Sequence, residues 1–328
     1  MPLLKRASKR QGTRLYVVSD FHASDPAWRK LLNAIRLNVY KADAVLYAGD
    51  LTGKAMVPIV AVGGDRYEAT LLGQRRVARD EKELAALERD VASLGYYAFR
   101  TTKEEVDALG GDQAKLDALF SREIRARVKQ WLDLAAERLE GTGVPLVLIP
   151  GNDDPYDIDE PLAASQYCIN ADGAIVDIPG DMQVIGLGKS SPTPWLTPRE
   201  VSEDAFREEI YSLADQARDP KRTIFLIHCP PYGSGLDTAP VLDENLRLQA
   251  SAGDLMRGPV GSTGVLEAVQ QVRPLLSLHG HIHESAGEKK IGPTLCVNPG
   301  SEAGSGVVRG YLIDVSSDGV ERSFRVEG

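Results

Sequence analysis

At 328 residues the chain is long enough to bury a sizeable core, and its 43% hydrophobic and 26% charged content is that of an ordinary globular protein. Lys and Arg number 38 against 47 Asp and Glu, a formal charge of −9, which excludes a general basic field for nucleic acid and leaves only a local basic groove open. Three cysteines, Cys168, Cys229 and Cys296, with no C-x-x-C spacing, argue against a disulfide framework or a structural zinc module and point to a reducing cytoplasm.

Lys5, Arg6, Lys9, Arg10 and Arg14 precede the first apolar run, Leu15-Tyr16-Val17-Val18, which is too short to cross a membrane. The basic start therefore reads as a solvated tail. Residues 14–19 predict a strand and 26–40 a helix, with Trp28, Leu31, Leu32, Ile35 and Val39 on one face and Pro26 in its first turn. A second strand, 44–48, closes on Gly49-Asp50, so the unit is β-α-β and the sheet there is expected to be parallel.

Residues 66–140 read as a helical insertion, with one apolar stripe at Leu84, Leu87, Val91 and Leu94. A longer stripe runs through Leu116, Ile124, Val128, Trp131 and Leu139. The apolar strand 144–149 then runs into Gly151-Asn152-Asp153-Asp154. Residues 174–178 and 183–187 predict an antiparallel pair joined at Pro179-Gly180-Asp181, 199–218 a helix, and 223–227 a buried strand ending at His228. A helix over 265–272 leads to the strand 275–278 and the run His279-Gly280-His281-Ile282-His283; strands at 294–297, 310–314 and 321–326 close the chain.

The chain has only five histidines, and all lie where apolar runs end. With Asp20, Asp50 and Asn152 they make a set of donors placed where an α/β fold carries its chemistry. Asp20, His22, Asp50, Asn152, His228, His281 and His283 are too many for one tetrahedral zinc and suit two divalent ions sharing a carboxylate. His279 fits no ligand position, and Asp20 or Asp50 could instead cap a helix. Lys54 reads as solvated, because Gly49-Asp50-Leu51-Thr52-Gly53-Lys54 lacks the spacing of a phosphate loop.

The order Asp-x-His, Gly-Asp, Gly-Asn-x-Asp, His and Gly-His-x-His, from Asp20 to His283, resembles the calcineurin-like metallophosphoesterase superfamily. That resemblance implies an αββα sandwich of two mixed sheets with outer helices, one domain over 1–328 carrying the insertion at 66–140. It implies one ion on Asp20, His22 and His283, another on Asn152, His228 and His281, and Asp50 between them. Manganese stands first, with iron, zinc, nickel and cobalt as alternatives. It further implies hydrolysis of a phosphomonoester or phosphodiester, on a small or nucleotide-like substrate, by a hydroxide bridging the metals. Asp50, Asn152 and Asp153 take the catalytic positions, although Asp153 stands where many members carry a histidine, which makes acid assistance there doubtful. A nuclease, or a metal-binding interaction module with weak turnover, are the alternatives. A small-molecule phosphoester is the expected partner, with neither membrane nor clear nucleic-acid surface, and the oligomeric state is open.

Overall fold

A computed structural model describes residues 12–243, 245–251 and 254–328, so most of the expected basic tail lies outside the described residues. Arg14 does not belong to a solvated tail. Its guanidinium donates to both carboxylate oxygens of buried Asp314, at 2.7 and 2.9 Å, and Arg322 approaches the same carboxylate from the neighbouring strand.

Two six-stranded mixed sheets form the centre. The first runs Gly319–Glu327, Arg309–Ser316, Thr13–Val18, Ala44–Ala48, Leu146–Ile149 and Cys168–Asn170. The second runs Gly287–Ile291, Thr294–Asn298, Leu276–Leu278, Thr223–Ile227, Met182–Leu187 and Ala174–Ile178. In the first, Thr13–Val18, Ala44–Ala48, Leu146–Ile149 and Cys168–Asn170 run parallel; in the second, the four inner strands do. The expected β-α-β unit is present, with Leu15 to Val18 paired in parallel to Ala44 to Tyr47.

Alternation along the strands explains the layering, because a period of two sends successive side chains to opposite faces. Leu15, Val17, Leu46, Val147 and Ile149 meet Val184, Ile224, Leu226, Leu278 and Val297 between the sheets. Tyr16, Val18, Val45 and Tyr47 face outward onto helices Asp25–Arg36 and Gln113–Leu139, where Trp28 stacks on Trp131 with ring centroids 4.8 Å apart. On the far side, Ile185, Phe225 and Ile227 pack under helices Glu203–Ala214 and Thr263–Val272. The order of layers is helix, sheet, sheet, helix: an α/β sandwich, as expected.

Three expectations need correction. The first helix ends at Arg36, and Val39, placed on its buried face by periodicity, is exposed. The helix expected over 199–218 begins only at Glu203; Arg199 is a buried residue of the preceding loop. The insertion is not all helical. Arg66–Leu71, Gln74–Ala78 and Tyr97–Thr101 join Met56–Gly63 in a four-stranded sheet packed on helix Glu81–Ser93 through Ile59, Leu84, Leu87 and Val91. In two of these strands the buried face is Ala69, Leu71 and Ala78, set among charged neighbours, so alternation is muted beside the strong helical stripe that follows. Among the described residues no helix is long and apolar enough to cross a membrane.

The Arg14 pairing generates a stability prediction. Hydrogen bonds from Arg14, opposed by burial and aided by Arg322, hold the Asp314 carboxyl below its usual range. A carboxyl lowered in the folded state contributes stability above its unfolded value of about 4 and loses it as the pH falls through the folded value. Asp314→Asn is expected to cost about 1–3 kcal/mol near neutral pH. Urea titrations should show that deficit shrinking as the pH is taken below about 4.

Candidate metal centre

Parallel strands of both sheets end at the same rim, and every predicted ligand stands just beyond such an end: Asp20 and His22 after Val18, Asp50 after Ala48, Asn152 after Ile149, His228 after Ile227, His281 and His283 after Leu278. The polypeptide turns sharply there. Asp20, His22, Asp50 and His281 have φ of 57°, 44°, 56° and 68°, the left-handed region that non-glycine residues avoid. Each such residue costs about 1–3 kcal/mol, and outliers of this kind gather where side-chain placement is the function. Helix capping does not explain the two aspartates, since Ser24 occupies the cap of the nearest helix.

The seven residues fall into two adjoining sets that share Asp50. Asp20, His22, Asp50 and His283 each offer one donor atom, all within 4.8 Å of one another. His22 Nε2 lies 3.0 Å from His283 Nε2 and 3.5 Å from Asp50 Oδ2, and His283 Nε2 lies 3.6 Å from Asp20 Oδ1. In the other set, Asn152 Oδ1 lies 3.0 Å from His228 Nε2 and 2.7 Å from His281 Nδ1, and His228 Nε2 is 3.5 Å from Asp50 Oδ1. One oxygen of Asp50 thus faces each set, the geometry a bridging carboxylate needs.

A cation fits this chemistry better than the protein's own hydrogen bonds do. Asp20 Oδ2 is buried and finds no hydrogen-bond partner among the described residues. Leaving a buried carboxylate oxygen so is expensive unless a cation completes it. His22 and His283 point ring nitrogens at each other, which two neutral lone pairs would not favour. His228 Nδ1 lies 2.7 Å from the Ala48 carbonyl, so Nδ1–H donates there and Nε2 is turned inward with its lone pair.

Electrostatics keep the set coupled. Burial would raise the Asp50 carboxyl, but the His228, His22 and His281 imidazoles outweigh it and hold it well below the usual range. Burial lowers His228, yet Asp50, Asp20 and the Ala48 carbonyl raise it on balance, a demand for positive charge at Nε2 that a bound cation would answer in place of a proton. His281 is pushed down to about 4 by burial and by the neighbouring His228.

The supporting residues are those that sequence left undecided. Asp154, fully buried, accepts from the backbone N–H groups of Leu51, Thr52 and Gly151 at 3.0, 2.8 and 2.8 Å and from the Thr52 hydroxyl. It therefore locks the loop of Asp50 to the loop of Asn152. Asp153 donates its backbone N–H to Asp50 Oδ1 at 3.1 Å, while its side chain pairs with Lys54. Lys54 is thus not merely solvated, although its side chain is 66% exposed. His279, the residue just past strand Leu276–Leu278, is buried with Nδ1 2.8 Å from the Ile227 carbonyl and lies outside both sets. Cys229 is buried, its thiol pushed up to about 12, and Cys168 and Cys296 are buried and free as well.

Three residues that sequence reasoning missed hold the rim together. Asn298 donates to the carbonyls of Leu236, Gly280 and Ile282, pinning the turn that carries His281. Ser301 donates to the Asp20 carbonyl at 2.6 Å. Arg199, 45 residues from its partner, donates to the Asp154 carbonyl at 2.7 Å and pairs with Asp159 and Asp172. A polar Asn298 ending the apolar run Leu295-Cys296-Val297 was the one readable signal. Two further segments are rooted nearby: the Thr197 hydroxyl accepts from Asn152, and the Thr238 carbonyl accepts from Ser285.

No protein-family model matches the chain. It is 30% identical, over 157 residues, to the uncharacterized protein MJ1162 of Methanocaldococcus jannaschii; the match takes in 47% of this chain and 63% of that one. The solved structure of TT1561 of Thermus thermophilus is similar at a TM-score of 0.54 and 16% identity, covering 97% of this chain and 98% of the other. A second solved structure is similar at 0.55 and 16%, covering 96% and 99%. At that identity the likeness is one of fold: a compact α/β architecture.

Close packing at the rim makes a prediction. A Cβ on Gly151 would stand 2.0 Å from Asp50 Oδ1, and one on Gly280 would stand 2.5 Å from Asp20 Oδ2. Gly151→Ala should push the shared carboxylate aside and reduce the manganese retained after gel filtration by about tenfold or more, read by elemental analysis. Retention at the wild-type level would contradict the shared role of Asp50.

Proposed function

We propose that the protein is a dinuclear metal-dependent phosphoester hydrolase of the calcineurin-like metallophosphoesterase type, acting on small or nucleotide-like phosphoesters. The observation that carries this reading is the division of Asp50 between two donor sets, with Oδ2 toward His22 and Oδ1 toward His228. The motif order from Asp20 to His283 and the helix-sheet-sheet-helix layering support it. In this reading Asp20, His22, Asp50 and His283 hold one divalent ion and Asp50, Asn152, His228 and His281 the other.

When bound, two such ions supply the positive charge that ionises a water near neutral pH and offsets the charge building on the phosphoryl oxygens. The chain's own residues orient that charge. His228, held by its Nδ1–H on the Ala48 carbonyl, presents Nε2 to the site, and the Asp154 bridge keeps Asp50 and Asn152 in register. Burial and the adjacent Asp50 raise the Asp153 carboxyl on balance, against the Lys54 ammonium that pairs with it. That ion pair together with nearby cations, when bound, would favour the ionised carboxylate, so protonation of the leaving oxygen would fall to solvent. Esters with acidic leaving groups are then the favoured substrates.

The test is kinetic. A manganese-supplemented sample is expected to hydrolyse p-nitrophenyl phosphoesters, and Asp50→Asn should lower kcat/KM by at least about 100-fold. A general acid contributes about 10²–10⁴-fold, so Asp153→Asn should cost clearly less than about 100-fold. No turnover across mono- and diesters together with no metal uptake would overturn the assignment.

A further inference from the structure

The orientation of the Asn152 amide matters more than its position, because only the carbonyl oxygen can serve a cation; the amide nitrogen is a donor with nothing to offer one. His228 and His281 approach Oδ1 but leave the choice of face to whatever holds Nδ2. Nδ2 donates to Thr197 Oγ1 at 2.9 Å. A hydroxyl has one proton, and Thr197 directs its own to Glu200 Oε1 at 2.7 Å. Its lone pairs are what remain, so it can only accept from Asn152.

The reverse amide would set Oδ1 against those lone pairs with no proton between them, and would turn toward the cation's side a nitrogen that has no lone pair to offer it. Glu200 is itself tied down. Its Oε1 also accepts from the Thr197 backbone N–H at 2.8 Å and from the Thr193 hydroxyl. Burial would raise its carboxyl, but these hydrogen bonds outweigh that and keep it lowered and accepting only. The loop is fastened to the ligand's own backbone as well, Arg199 N–H donating to the Asn152 carbonyl at 3.3 Å.

We infer that Thr197, with its proton directed by Glu200, is the positioning residue that turns the Asn152 carbonyl toward the second cation. This rests on the dinuclear reading above. Thr197 touches neither substrate nor ion; it acts through Asn152, as hydrogen-bond partners of metal ligands commonly do, where their loss costs about 10–100-fold in affinity.

The inference is tested by calorimetric titration of the metal-free full chain with manganese, for wild type, Thr197→Val and Thr197→Ser, with thermal unfolding of each variant as a folding control. Wild type is expected to take up two ions. Valine, equal in shape but without the hydroxyl, should weaken one of the two binding events by about 10–100-fold and leave the other unchanged, and serine should restore it. Two unchanged events in the valine variant, or a serine variant as impaired as valine, would overturn the role of the hydroxyl while leaving the dinuclear reading standing. A wild type that binds no manganese would remove that reading, and this inference with it.

Discussion

Everything at the rim follows from burying two carboxylates, Asp20 and Asp50, in a site shared with four imidazoles. Taking a carboxylate out of water costs several kcal/mol unless charge and hydrogen bonds answer it. Asp50 is answered on both sides by histidines and also by the Asp153 N–H, whereas Asp20 keeps one oxygen with no hydrogen-bond partner among the described residues. The fold holds these groups together with backbone in the left-handed region at four of the site residues and with glycines that let Asp20 and Asp50 come close. Such concentrated strain is understandable if the side chains are arranged for a cation.

The sandwich gives that arrangement its rigidity. Two sheets, each with a run of parallel strands, bring five strand ends to one edge, and the packed layer between them fixes how far apart those ends stand. Around this, a ring of polar groups sets orientation: Ala48 for His228, Asn298 for the histidine turn, Asp154 for two loops at once, and Thr197 for Asn152. The candidate ligands come from the sheet ends, and their orientation comes from this surrounding ring.

The strand ends were legible because rare residues marked them. Five histidines, each after an apolar run, cannot easily be a surface pattern, and the structure brings four of them together while turning His279 onto the Ile227 carbonyl. The β-α-β start and the hairpin at 179–181 were legible for a similar local reason, their turns and periods lying within one stretch of chain. What escaped is what depends on distant partners. Nothing near Arg199 or Asp314 announces the residues 45 and 300 positions away that bury them. In the insertion, strands whose buried faces are alanine and a single leucine carried too little hydrophobic contrast to compete with the helical stripes beside them.

The proposed function requires two ions side by side, sharing Asp50. Electron paramagnetic resonance of the protein loaded with two equivalents of manganese reads this from the metals themselves. An exchange-coupled pair signal that disappears in Asp50→Asn is expected; a spectrum of isolated manganese alone, at every loading, would contradict the dinuclear reading.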